Sequence, residues 1–278
     1  MSHLPRIIGS IAETTEVERP DGKGGLSVAT LRYGARPAIV ARLGSRRRRK
    51  GTVRDSGLLV FDLDGTLYCT ETSFVPVIHA LFRRRAIAPP SRAEILRFVG
   101  EPLEVLLDWL IASGFSEERA WLERDIAAGE LDAVRRYGQL YPGVECTLRA
   151  LQQDGHTLAL LTNGGREYGE AVLVACGIDH LFGAARYRRP GDDEKGEMLA
   201  DLLGSVGRQR AVVIGDRYHD VRAGRANGCA TVGATYGYGL PAELEDADWR
   251  IGAFEELPVA LADVLPQVLA SLENGMYD

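Results

Sequence analysis

The 278-residue chain has no apolar run approaching the roughly 18–20 residues that a membrane-spanning helix needs, which argues against a membrane partner. Its first residues, MSHLPRIIGSIAETTE, lack the basic start and uninterrupted apolar stretch of a secretory signal. Cysteine is scarce: Cys69, Cys146, Cys176 and Cys229 lie far apart, with neither a CxxC pair nor zinc-like spacing, and read as reduced thiols of a cytoplasmic protein. No internal repeat is visible, which excludes a solenoid or propeller. What remains is ordinary globular composition, 45% hydrophobic and 26% charged with a mean hydropathy of -0.10.

Charge is unevenly placed. Residues 1–57 carry 12 Lys and Arg against 5 Asp and Glu, a net +7, while the remainder carries 21 against 34, a net -13. Much of the positive excess is the run Arg46 to Lys50. Such a run can touch nucleic acid, but a solvated linker is the simpler reading, so nucleic acid is an unfavoured partner. The stretch GSRRRRKGTVRDSG at 44–57 marks a boundary that sets residues 1–57 apart as an N-terminal extension.

Beyond it, short apolar runs alternate with helical patterns. Strands are expected at Leu58–Phe61, Thr157–Leu161, Ala184–Tyr187, Ala211–Ile214 and Ala230–Val232. Helices are expected at Glu167–Cys176, Lys195–Leu203 and Asp220–Asn227. This alternation predicts an α/β fold, a doubly wound parallel sheet covered on both faces. Between the first two strands come only helical patterns, at Ser73–Arg85, Ser91–Phe98, Leu103–Ala112 and Glu117–Tyr137. The expected organisation is therefore a core of residues 58–71 and 141–278 with a helical cap inserted at 72–140.

In open α/β sheets ligands bind beyond the carboxyl ends of the strands. Asp62-Leu63-Asp64-Gly65-Thr66 follows the first strand, Thr162-Asn163-Gly164-Gly165 the second, and Gly215-Asp216-Arg217-Tyr218-His219-Asp220 the fourth. Lys195 opens the helix before that fourth strand. Asp62, Asp64, Asp216 and Asp220 at one sheet edge would repel one another unless a cation were present. An oxygen-only donor set beside a phosphate favours Mg²⁺. Thr162, the amides of a Gly-rich turn and Lys195 suit phosphate oxygens. One carboxylate can attack phosphorus while its neighbour handles the proton.

This ordered set, FDLDGTL at 61–67, LLTNGG at 160–165, Lys195, and VIGDRYHDVRAGRANG at 213–228, resembles the haloacid dehalogenase superfamily of phosphohydrolases. The helical insert is similar to the cap of its phosphoglycolate-phosphatase-like branch. The resemblance implies that Asp62 is the nucleophile and a metal ligand. It implies that Asp64 is the general acid and base and gives its backbone carbonyl to the metal. Thr162, Asn163 and Gly164 would hold the substrate, Lys195 would neutralise the transferring phosphoryl group, and Asp216 and Asp220 would complete the Mg²⁺ site. Asp64 argues against the dehalogenase branch, which lacks a second aspartate of this kind.

The implied activity is Mg²⁺-dependent hydrolysis of a small phosphorylated metabolite through an aspartyl-phosphate. Phosphoglycolate is favoured, with a nucleoside monophosphate or sugar phosphate next. A phosphomutase on the same scaffold and a nucleic-acid-binding protein using the basic N-terminal run are the rivals. His219 reads as a solvated loop histidine. Tyr236 and Tyr238 are read as packing beside the site or covering the sheet edge. Gly100-Glu101-Pro102 lies in the cap where the resemblance implies substrate contact, with an ordinary cap segment the simpler reading. Residues 1–45 are faintly similar to the opening of ribokinase-like sugar kinases, but no kinase catalytic motif follows, so no kinase activity is implied. The sequence carries no signal for oligomeric state.

Overall fold

Leu58–Phe61 is apolar at all four positions, and it forms β1, a fully buried strand at the centre of the sheet. It pairs in parallel with β2 (Thr157–Gly165) on one side and β4 (Val212–Gly215) on the other. β3 (Ala184–Arg188) extends the sheet beyond β2, and β5 (Ala230–Ala234) and β6 (Trp249–Ile251) extend it beyond β4. The order β3-β2-β1-β4-β5-β6, parallel throughout, is the expected doubly wound arrangement. These relations come from a computed structural model that describes residues 57–115, 119–191, 194–207 and 211–274. The basic run and the kinase-like stretch lie outside the described residues.

Alternate residues of each strand face opposite layers. Leu59, Phe61, Leu158 and Leu160 pack against α5 (Val144–Gln153), α6 (Arg166–Ala175) and α9 (Leu257–Asn274). Leu58, Val60, Ala159 and Leu161 pack against α7 (Lys195–Ser205) and Ala223 of α8 (Tyr218–Ala226). Each fully buried leucine or valine contributes about 1.5–3 kcal/mol relative to exposure, so both faces of β1 are strongly specified.

The stretch between β1 and β2 contains four further helices: α1 (Glu71–Arg84), α2 (Arg92–Leu96), α3 (Leu103–Ala112) and α4 (Arg119–Tyr137). They share an apolar cluster of their own, built from residues such as Phe82, Ile95, Leu110, Phe115 and Leu122. Where this stretch leaves and rejoins the sheet, the two chain segments lie side by side. The Cys69 N–H donates to Gln139 O at 2.8 Å, the Tyr141 N–H to Leu67 O at 3.0 Å, and Tyr68 and Leu140 form an antiparallel bridge.

Candidate active site

The crossover reverses direction at β1 and β4, so the crevice at their carboxyl ends is where such a sheet takes its ligand. Asp62 leaves β1 there, its N–H donating to Ile214 O of β4 at 2.9 Å. Asp216 follows β4, and Asp220 sits in the first turn of α8. Oxygens of Asp62, Asp216 and Asp220 all lie within 4.8 Å of one another, and all three residues are buried. Lys195, at the start of α7, reaches in from the other side. Its ammonium lies 2.5 Å from Asp62 Oδ1 and 2.7 Å from Asp220 Oδ1.

The charge balance of this cluster is incomplete. Three carboxylates face one ammonium, and Asp62 Oδ2 is buried without a hydrogen-bond partner. Burial raises the Asp62 carboxyl well above its ordinary range; Lys195 opposes the rise, and Asp220, Asp216 and Asp64 add to it. Asp216 is pushed up to about 7, by burial and then by Asp220, against the Tyr238 amide that holds it. Burial alone would lower the Lys195 ammonium, but Asp220 and Asp62 hold it above its ordinary value. A hard divalent cation would supply the missing charge, and an all-oxygen donor set fits one.

The backbone around Asp216 is shaped for close approach. Gly65 adopts φ +81°, and a Cβ there would stand 2.2 Å from Asp216 Oδ2. The Tyr238 N–H donates to Asp216 Oδ2 at 2.7 Å, the Thr66 hydroxyl donates to Oδ1 at 3.3 Å, and the Tyr236 hydroxyl to Thr66 O at 2.8 Å. Both tyrosines therefore pack beside the site.

Asp64 is separate from this cluster. Its Oδ1 accepts from the Tyr168 hydroxyl at 2.6 Å and from the Thr70 hydroxyl at 2.8 Å. Burial raises its carboxyl above the ordinary value, and the two hydroxyls moderate the rise. Sequence reasoning missed both partners. Thr70 is six residues beyond Asp64, and Tyr168 sits in the first turn of α6, three residues after Gly165. That position, on a helix opening directly from a strand-end loop, was the available signal.

The Thr162 hydroxyl accepts from the Gly164 N–H at 2.9 Å, and β2 extends through Gly165 with a register shift after Thr162, whereas the sequence reading ended the strand at Leu161. Asn163 bonds away from the acid cluster: its amide donates to Gly100 O at 2.8 Å and its Oδ1 accepts from Arg188 at 3.3 Å. Gly100, at φ +83°, lies against the Arg217 side chain. The buried Arg217 guanidinium ties this segment down, pairing with Glu101 at 2.6 Å and Glu243 at 2.8 Å and donating to Val99 O. His219 meets the same Glu101 at 3.0 Å, so it is a partner of the 99–102 segment rather than a free loop histidine. Asp62, Asp64, Thr162, Asn163, Gly100 and Glu101 border a cavity of about 320 Å³.

A family model described as "Haloacid dehalogenase-like hydrolase" matches residues 59–234. The chain belongs to this family. It is 29% identical over 218 residues to a phosphoglycolate phosphatase of Pasteurella multocida, covering 72% of this chain and 96% of that one. It is 30% identical over 202 residues to a 5'-nucleotidase of Pseudomonas aeruginosa, covering 69% and 90%. The crystal structure of a predicted phosphoglycolate phosphatase from Haemophilus somnus superposes with a TM-score of 0.68 at 26% identity, over 75% of this chain and 99% of that one. The expected superfamily and the expected hydrolase class are therefore borne out, and the matched span of the haloacid dehalogenase-like fold begins with β1 and ends with β5.

Proposed function

We propose that the protein is a phosphomonoester hydrolase in which Asp62 attacks phosphorus and Asp64 transfers the proton. The observation that carries this reading is the division of labour between the two carboxylates. Asp62 is paired with Lys195 at 2.5 Å and stands among the other buried acids, whereas Asp64 is held apart by two hydroxyls. Asp62, Asp216 and Asp220 would hold Mg²⁺, which supplies electrostatic stabilisation of the phosphoryl oxygens when bound. Lys195 neutralises charge on Asp62 and on the transferring group. The Thr162 hydroxyl and the amides that follow it donate to phosphoryl oxygens. Asp64, its carboxyl raised by burial, protonates the departing alkoxide and then accepts a proton from the water that cleaves the aspartyl-phosphate. The 72–140 segment acts as the cap, with Gly100-Glu101-Pro102 over the site.

The names of the relatives make 2-phosphoglycolate the first substrate to test and a nucleoside monophosphate the second. The deciding experiment is the stereochemical course at phosphorus, read from hydrolysis in ¹⁷O-water of a thiophosphate ester made chiral with ¹⁸O. Retention, the sum of two in-line displacements by Asp62 and then by water, and phosphate release lost in Asp62→Asn and on chelation, are the expected results. Inversion would mean direct attack by water and would reject Asp62 as nucleophile.

A further inference from the structure

The far wall of the cavity bears on which alcohol leaves. Phe74, Phe98, Leu103 and Leu106 supply an apolar surface, and α4 adds Glu130 to the same cavity, close enough to Asp64 to feel its charge. Among the described residues lining this cavity, one is basic, Arg166, against six that are acidic. Arg166 is committed to Glu170 at 2.9 Å, and its side chain is 65% exposed, at the mouth. The nearby cations are also engaged: Lys195 by Asp62 and Asp220, Arg217 by Glu101 and Glu243, and Arg188 through Asn163, where it lines a second cavity. Glu130 is half-buried, and enclosure together with the Asp64 charge pushes its carboxyl up to about 8. A carboxylate on the substrate at that wall would meet the same enclosure and the same neighbouring charge.

We infer that the leaving alcohol is a small carbon chain ending in a hydrogen-bond donor, an ammonium or a hydroxyl that Glu130 receives, and that a terminal carboxylate is disfavoured. This rests on the phosphatase reading above and narrows its substrate class. An ammonium beside Glu130 favours its ionised form and pairs with it, and a hydroxyl donates to it. The carbons lie against Phe74, Phe98, Leu103 and Leu106, where burial favours them.

The test compares kcat/KM for O-phosphoethanolamine, glycerol 3-phosphate and 2-phosphoglycolate, three esters of similar size, with p-nitrophenyl phosphate as a general phosphatase probe. Wild type and Glu130→Gln are measured, and binding of the same three esters is measured by calorimetry in the Asp62→Asn background. The donor-bearing esters are expected to exceed 2-phosphoglycolate by about tenfold or more, the scale of one charge-assisted contact. Glu130→Gln is expected to bring O-phosphoethanolamine and 2-phosphoglycolate within about threefold of each other, and calorimetry to show the same order of affinities. Equal or better turnover of 2-phosphoglycolate by the wild type, with p-nitrophenyl phosphate hydrolysed, overturns this inference and leaves the phosphatase reading standing. A wild-type preference that Glu130→Gln leaves unchanged rejects Glu130 as the discriminating residue. No phosphate released from any ester, the general probe included, removes the phosphatase reading and this inference with it.

Discussion

Two aspartates one residue apart end up in different chemical surroundings because Asp62, just past β1, still bonds to β4 while Asp64 has entered the turn that follows. The first is fixed between β4 and Lys195; the second is reached by Thr70 from just downstream and by Tyr168 from α6. The Tyr168 hydroxyl stabilises the ionised form of Asp64, so removing it shifts the equilibrium toward the protonated acid. In Tyr168→Phe, the alkaline limb of the kcat/KM profile, where Asp64 loses its proton, should therefore move up by roughly one pH unit, the equivalent of a hydrogen bond to a charged group. An unmoved limb in a variant that retains activity would mean that another group sets it. At this scale three strand-end residues and Lys195 were legible, because Asp62, Thr162 and Asp216 sit just past apolar runs and Lys195 opens a helix. Tyr168, Glu130 and the Glu101–Arg217 pair were not legible. Each works through a partner far away in the chain, 104 residues in the case of Tyr168 and Asp64 and 116 for Arg217 and Glu101.

Among the elements, the loop at 99–102 and the start of α8 behave as one assembly. Arg217 is almost fully buried, and its two acidic partners are largely so, with side chains 16% and 18% exposed. Arg217→Ala would leave Glu101 and Glu243 without their shared cation. Removing one member of such a buried set typically costs on the order of 3 kcal/mol. Urea denaturation should show that loss, whereas Arg149→Ala, which breaks an exposed pair on α5, should change stability by less than about 1 kcal/mol. Comparable losses in the two variants would show that the Arg217 contacts carry no special weight. Element existence was readable wherever an apolar run or a helical period was strong, and β1 matches its expected bounds of Leu58–Phe61. β6 was missed because three residues with a central arginine, Trp249-Arg250-Ile251, carry no strand pattern; β5 supplies their partner. α5 and α9 were also missed. α5 follows the Tyr141-Pro142-Gly143 turn, at the expected boundary where the core resumes at 141, and α9 carries Pro258 and Pro266 inside its apolar period.

For the whole molecule, the buried acid cluster couples folding to pH and, on the proposed assignment, to metal. Asp216 titrates near 3.8 as a free side chain and at about 7 in the fold, so the folded state holds a proton that the unfolded chain has lost. A raised carboxyl of this kind contributes stability that is fully present below about pH 4 and is lost as pH rises through about 7. With chelator present, the melting temperature should fall across that window. If the cluster holds Mg²⁺ as proposed, added Mg²⁺ should raise it more at pH 8 than at pH 5, because the ion prefers the ionised carboxylates. A metal-induced shift as large at pH 5 as at pH 8, followed by scanning fluorimetry, would contradict the assignment of the cluster as the ion's site.

The paired strands of backbone at Leu67–Cys69 and Gln139–Tyr141 have a further consequence. Because the four helices depart and return at one spot, they form a closed detour that the sheet's connectivity does not depend on, and the ends are already joined whatever the detour's length. Such a junction is a graft point. Helices inserted there can be lengthened or replaced without altering how the sheet strands pair. The insert and the sheet meet again at Asn163, whose amide donates to the carbonyl of Gly100.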